Sequence, residues 1–176
     1  MENDFAHIED QILVMDAQDG DAEAMDRLVV RWQKPLWKHA VRLTGDTQAA
    51  WDVTQQSWIG IIKGLDKLHD PASFKSWAYR ITTNKCFDWI KKHKADNHLD
   101  IEDVPAVYIT QDETCIGLIE LMDKLDTDKK TVLCLHYFDQ MTVAEIGAIL
   151  KIPNGTVKSR LHKARRELKE IWKKNN

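Results

Sequence analysis

Long apolar runs are missing from this chain. Segments such as Ile12 to Met15 and Val132 to Leu135 fall far short of the roughly 20 residues that cross a bilayer as a helix. The acidic start Met1-Glu2-Asn3-Asp4 lacks the basic flank of a secretory signal, so a cytoplasmic protein with no membrane insertion is expected. Cysteine is scarce as well. Cys86, Cys115 and Cys134 are odd in number and widely spaced, which fits neither a disulfide framework nor a paired zinc or redox motif; reduced, partly buried thiols are expected. Glycine and proline, seven and four residues in 176, give little of the punctuation that a strand-and-turn fold requires.

Recognisable catalytic signatures are absent too. Histidine stands near a second potential ligand at His136 with Cys134 and at His93 with His98, but neither pair has further ligands at a metal motif's spacing. No Gly-rich phosphate loop, nucleophile elbow or Ser/His/Asp signature occurs. No catalytic residue, metal site or cofactor is expected, and the chain reads as a non-enzyme.

What the sequence does contain is helical period. Apolar residues recur at intervals of three and four nearly throughout, and a hydrophobic fraction of 43% suffices for ordinary cores. The expected fold class is all-α with no sheet. Asp21 reads as the start of a helix carrying Leu28, Val29, Trp32, Leu36, Ala40 and Leu43 to a stop near Gly45, with Pro35 either kinking it or dividing it in two. A second helix is expected from Thr47 to Leu68, and a third from Ser73, as N-cap after Asp70-Pro71, to His93. Further helices are expected near Glu113 to Lys124, Thr127 to Phe138, Thr142 to Leu150 and Asn154 to Lys173.

Net charge, only -3 overall, conceals a strong asymmetry. From Lys151 to Asn176 nine basic residues face two acidic ones, a net of +7. From Ala95 to Cys115 there are six acidic residues and no Lys or Arg. Repulsion along that acidic stretch, together with Pro105, predicts an extended tether. The expected organisation is therefore a first helical domain over residues 1–94, an acidic linker over 95–112 and a second helical domain over 113–176.

The second domain holds the most specific local pattern. Thr142 to Leu150 reads as a capped helix with an apolar stripe, Lys151-Ile152-Pro153 cannot continue it, and Asn154 is the expected cap of the next helix. This is a helix-turn-helix pattern. In the second of these helices Val157, Leu161, Ala164, Leu168 and Ile171 share one stripe. At 100° per residue Ser159, His162, Lys163 and Arg166 point away from it, flanked by Lys158, Arg160 and Arg165. A polar, cationic helix face of this kind fits a B-DNA major groove, where short donors and cations read base edges and hold phosphates. Gly155-Thr156 adds free backbone donors for a phosphate at the helix N-terminus.

The run Ile152 to Arg165 resembles the promoter-reading helix of extracytoplasmic-function (ECF) sigma factors, with Asn154 where Glu or Pro is more familiar. Arg42-Leu43-Thr44-Gly45-Asp46, Asp52-Val53-Thr54-Gln55-Gln56 and Phe74 to Asn84 are similar, in order and spacing, to that family's second conserved region, so the resemblance covers nearly the whole chain. It implies that Asp52, Gln55, Gln56 and Trp58 dock on the clamp helices of the largest subunit of core RNA polymerase. The alternative for Trp58, shared with Trp51, is the domain core. The resemblance also implies that the loop Leu68 to Ala72 captures a base flipped from the downstream (−10) element.

The third helix brings Lys75, Arg80, Asn84, Lys85, Lys91 and Lys92 together with Trp77, Tyr79, Phe87 and Trp89, a mixture of cations and π-faces suited to melted DNA; Phe74, Ala78 and Ile81 are expected to face inward. For the upstream (−35) element the resemblance aligns Lys158, Ser159, His162 and Lys163 with base and backbone readers, and Arg160 and Arg165 with phosphate contacts. It further implies an anti-sigma partner and a linker threaded through the RNA exit path. The rival reading is a stand-alone helix-turn-helix regulator, whose first domain would have no need of the Asp-x-x-Gln helix.

Overall fold

A computed structural model describes residues 2–94, 118 and 120–175, and every regular element among them is helical. The acidic segment 95–112, Cys115 and half of the helix expected near Glu113 to Lys124 lie outside the described residues.

Helix α1 (Glu2–Gln18) precedes the three helices expected in the N-terminal domain. It carries apolar residues on two sides, Leu13 and Val14 buried and Phe5, Ile8, Ile12 and Met15 exposed, so it lacks the single apolar stripe by which helices are recognised. Polar contacts fix it to the next helix: Asp10 accepts a hydrogen bond from Trp32 Nε1 at 3.1 Å and pairs with Arg31 at 2.6 Å.

Helix α2 (Ala22–Thr44) starts and stops where its sequence predicts. The Asp21 carboxylate accepts from the N–H groups of Glu23 and Ala24, and Gly45, at φ 72°, donates its N–H to the Val41 carbonyl at the other end. Only a residue without Cβ takes that left-handed conformation freely. Pro35 lies inside one continuous helix rather than dividing two. Leu28, Trp32, Leu36, Ala40 and Leu43 are all buried, as their spacing predicts, and Val29 is half-buried.

Helix α3 (Thr47–Gly64) ends four residues early, in a 3₁₀ turn at Leu65–Lys67. A second 3₁₀ turn, Pro71–Ser73, leads into α4 (Phe74–Lys94). Asp70 rather than Ser73 does the capping there, accepting from the Ala72 N–H at 3.1 Å and the Ser73 hydroxyl at 2.6 Å. Close approach of α3 to α4 depends on glycine: a Cβ on Gly64 would lie 3.0 Å from the Trp77 ring.

In the C-terminal domain, α5 (Thr127–Leu133) is capped by Asp126 and widens into a π-helical turn at Cys134–Phe138. Helix α6 (Val143–Leu150) has a full capping box, Thr142 and Glu145 satisfying each other's backbone N–H. Helix α7 (Asn154–Asn175) packs across α5 and α6. Cys86 and Cys134 are free and buried; burial pushes both thiols up, Cys134 to about 12, which removes the thiolate and leaves them inert. The two domains touch: α4 packs against α6, and α2 against α5 and the π turn.

Candidate nucleic-acid interface

The turn between α6 and α7 sets the angle of the second helix of the pair. Lys151 caps α6 in the left-handed region at φ 55°, and the Ile152 N–H returns to the Gly147 carbonyl at 3.0 Å. A Cβ on Gly147 would lie 2.7 Å from the Asn154 side-chain oxygen and 3.0 Å from the Ile152 carbonyl oxygen, so only glycine permits this approach. The Pro153 carbonyl accepts the first bonds of α7, from Thr156 and Val157. The cap is therefore Pro153, one residue before the expected Asn154, whose side chain is turned toward Gly147.

Helix α7 divides as its period predicts. Val157, Leu161 and Ala164 are buried, while Leu168 and Ile171 are half-buried against the core. Lys158, Ser159, His162, Lys163, Arg165 and Arg166 are exposed, and Thr156 and Arg160 are half-exposed. Two of the arginines are engaged within the domain: Arg160 pairs with Asp128 at 2.7 Å, and Arg165 Nε donates to the Leu161 carbonyl at 3.2 Å. Lys129 of α5 is held by Asp126 at 2.6 Å and by Glu167 of α7 at 2.7 Å; those two hydrogen bonds push its amine up to about 12.

Helix α4 is more deeply embedded. Asn84, Lys91 and Lys92 are exposed, whereas Lys75, Arg80 and Lys85 are half-buried, as are Trp77, Phe87 and Trp89. Trp89 stacks on His93 with ring centroids 4.2 Å apart. Phe74 and Ala78 are buried and Ile81 half-buried against the core, as expected. Tyr79, grouped by sequence with the outward π-faces, is buried instead and donates its hydroxyl to Asp139. The Leu68 to Ala72 loop is anchored by α1, since Gln18 Nε2 donates to the carbonyls of Leu65 and Leu68, both at 2.8 Å.

On α3, Asp52, Gln55 and Gln56 are all exposed. Trp58 is not with them. At 8% exposure it is a core side chain, because position 58 falls on the same helix face as the buried Ala50, Val53, Thr54, Ser57 and Ile61. The aromatic partly exposed beside Asp52 is Trp51, at 40% and packed on Trp37, and Ile59 and Ile62 extend that apolar surface. Their exposure follows from a spacing of three and four from Gln55, which could have been read from the sequence.

Sequence reasoning missed a buried polar cluster between the domains. His39 and Arg42 of α2 and Tyr79 of α4 converge on Asp139, at 2.7, 2.8 and 3.3 Å, while Thr83 meets the other His39 ring nitrogen at 2.9 Å. Burial works against ionisation of Asp139, but attraction to and hydrogen bonds from His39 and Arg42 overcome it and hold the carboxyl below its ordinary range. Asp139 lies 60 to 100 residues from the three side chains that meet it, and the cluster forms no local motif.

Comparison with known proteins agrees with this architecture. Residues 28–95 match Sigma-70 region 2 and residues 121–170 match Sigma-70, region 4. The chain is 31% identical over 168 residues to the ECF RNA polymerase sigma factor SigW of Bacillus subtilis, covering 86% of this chain and 90% of that protein. It is 28% identical over 174 residues to the RNA polymerase sigma-H factor of Pseudomonas aeruginosa, covering 89% and 90%. Among solved structures, CnrH in complex with the cytosolic domain of CnrY shares the fold at a TM-score of 0.76 and 24% identity, over 96% of this chain and 99% of that one. The sigma factor RpoE from Bartonella quintana, in complex with the anti-sigma factor NepR, does so at 0.73 and 20% identity, over 86% and 98%. With both sigma regions present in order and a relative matched across nearly its full length, this chain belongs to the ECF sigma factor family.

Proposed function

We propose that this sigma factor divides promoter recognition between its two domains, residues 1–94 and 113–176, joined by the acidic linker 95–112. In this reading α7 enters the major groove of the upstream element. Lys158, Ser159, His162 and Lys163 meet base edges and backbone, Arg160, Arg165 and Arg166 meet phosphates, and Thr156 offers its N–H at the helix N-terminus. Helix α4 holds the melted downstream strand through Lys75, Arg80, Asn84, Lys85, Lys91 and Lys92, with Trp77, Phe87 and Trp89 as neighbouring π-faces. The polymerase-facing surface is the exposed side of α3, where Asp52, Gln55 and Gln56 supply the polar part. Trp51, Ile59 and Ile62 supply the apolar part in place of Trp58.

The observation that carries this reading is the clean division of α7, with its apolar stripe buried and its cationic face exposed. An anti-sigma partner is proposed as well, supported by the two structural neighbours, whose complexes are with the cytosolic domain of CnrY and with an anti-sigma factor. The protein works in the cytoplasm, where the polymerase is, and is itself not an enzyme and takes no cofactor or metal.

The test is in vitro transcription with purified core polymerase, with and without the protein, on a pooled library of double-stranded promoters. Start sites that appear only with the protein, sharing two spaced elements, are the expected result. Operator binding as a dimer, with no initiation from any core enzyme including the native one, would leave a stand-alone regulator as the better account.

A further inference from the structure

We propose that Lys129 of α5 is a positioning residue for the cationic face of α7: it occupies the Glu167 carboxylate and so leaves Lys163 free for DNA. The proposal rests on the reading of α7 as the helix that meets the upstream element. Arg160, Lys163 and Glu167 follow one another at spacings of three and four, which at 100° per residue places them within about 60° of the helix circumference. The start of α5 lies alongside that strip. Asp126, Thr127, Asp128 and Lys129 line one open cleft together with Arg160 and Lys163.

Three carboxylates stand around Lys163, and each is already engaged by another cation. Asp128 pairs with Arg160 at 2.7 Å. Asp126 accepts the Lys129 N–H at 2.9 Å with one oxygen, as the cap of α5, and the Lys129 ammonium at 2.6 Å with the other. The same ammonium reaches Glu167 at 2.7 Å. Lys163 is exposed and has no ion pair among the described residues, so it is the cation left over. Lys129, 24% exposed and held between two carboxylates, is poorly placed to meet a phosphate itself.

Helical geometry gives the occupation of Glu167 a consequence. Residues four apart on a helix are neighbours, and opposite charges at that spacing pair, with acid following base the weaker order. Glu167 is the only acidic residue three or four positions from Lys163 on α7. Without Lys129 the two side chains pair, and Lys163 is drawn toward α5, away from the face it shares with Ser159 and His162. An unmasked carboxylate there also repels the phosphates that the neighbouring cations attract. Asp126 and Asp128 keep partners in either case, the first in the α5 backbone and the second in Arg160. A plain strut between α5 and α7 would make the same contacts, but the two roles differ in sign. Removing either end of a strut weakens the helix pair alike. Removing Lys129 releases Glu167 onto Lys163, whereas removing the charge of Glu167 leaves nothing for Lys129 to mask.

The experiment titrates a short labelled DNA duplex with full-length wild type, Lys129→Met, Glu167→Gln, the double variant, Lys129→Arg, Lys158→Gln and Lys163→Gln over a range of salt, each shown by circular dichroism to be folded. Lys129→Met is expected to bind roughly threefold to tenfold more weakly at about 0.1 M salt and to lose about one from the salt slope, as Lys163→Gln does. Glu167→Gln is expected to bind at least as tightly as wild type, the double variant to match Glu167→Gln, and Lys129→Arg to match wild type. Undiminished binding by Lys129→Met would overturn the proposal. So would a loss in Glu167→Gln equal to that in Lys129→Met, which marks a strut, or a double variant as weak as Lys129→Met, which marks Lys129 as a DNA contact in its own right. In those cases weak binding by Lys158→Gln and Lys163→Gln keeps the reading of α7; wild-type binding by both would overturn that reading and the proposal with it.

Discussion

Helices α4 and α7 carry similar numbers of cations but expose them differently. Among the described residues helix α7 packs on one side only, across α5 and α6, and six of its eight proposed DNA-facing residues are exposed. Helix α4 is enclosed by α1, α2 and α3, and also by α6 of the other domain, and half of its six are half-buried. The difference follows from what each helix must do for its own domain. A helix at the edge of a small bundle needs one apolar stripe and leaves the rest of its surface free for a ligand. A helix with neighbours on several sides spends Tyr79, Thr82, Thr83 and Cys86 on packing and hydrogen bonds, and keeps only a narrow exposed strip.

The comparison breaks most visibly under charge reversal. Lys158→Glu with Lys163→Glu is expected to reduce initiation at promoters with an upstream element by on the order of 100-fold or more, since each base-edge or phosphate contact contributes ~1–3 kcal/mol. Lys91→Glu with Lys92→Glu on α4 is expected to act about tenfold and chiefly through salt-sensitive strand holding. Run-off transcription on one promoter with each pair of changes separates them; equal losses would mean that exposure is a poor guide to the two roles.

The scaffold beneath α7 gives the next largest effect. Gly147→Val forces a side chain into the space 2.7 Å from Asn154 and 3.0 Å from the Ile152 carbonyl. Overpacking of this kind destabilises by ~1–3 kcal/mol, read as a lower midpoint in urea unfolding. Thr142→Ala, which removes the capping box at the start of the same helix, is expected to lose about 1 kcal/mol.

Sequence carried α7 nearly to the residue, because a helix exposed on one face writes its burial into a 3.6-residue period and its start into Pro153 and Asn154. The period was less informative wherever a helix has two partners. Helix α1 escaped notice because Leu13 and Val14 face the core while Ile8 and Ile12 face out. The family resemblance groups Trp58 with Gln55 and Gln56 while the core is its alternative, and its phase, which matches Thr54 and Ile61, decides for the core. Tyr79 and Asp139 were beyond sequence reasoning altogether: a pairing between distant segments depends on how two domains meet, and no local spacing encodes that.

The charge state of Asp139 gives a pH test of the same asymmetry, since α4 takes part in the interdomain cluster and α7 does not. Its carboxyl is held below the ordinary carboxylate value by His39 and Arg42 in spite of burial. A group whose value is depressed stabilises the state that depresses it above the ordinary value of ~3.9, and loses that contribution as pH falls through its own lower value. Contact between the two domains, followed by X-ray scattering, is therefore expected to be insensitive to this group between neutrality and about pH 4, and to weaken only below. Asp139→Asn removes that acid-dependent step.

The smallest effect concerns Arg160, among the described residues the one proposed phosphate contact on α7 that is already paired with a carboxylate. Its partner Asp128 is 2.7 Å away, and the two side chains are 29% and 57% exposed. An ion pair this open to water contributes about 0–1 kcal/mol, so DNA phosphate competes for the guanidinium at little cost. Asp128→Asn is accordingly expected to raise affinity for non-specific duplex DNA by roughly twofold to fivefold at low salt, with the gain vanishing as salt screens it. Lys158→Gln, by contrast, removes an exposed cation with no ion pair among the described residues and is expected to lower the salt slope of binding by about one. If Arg160→Gln reduces that slope as fully as Lys158→Gln does, Asp128 imposes no competition, and the two cations belong to the same class despite their different surroundings.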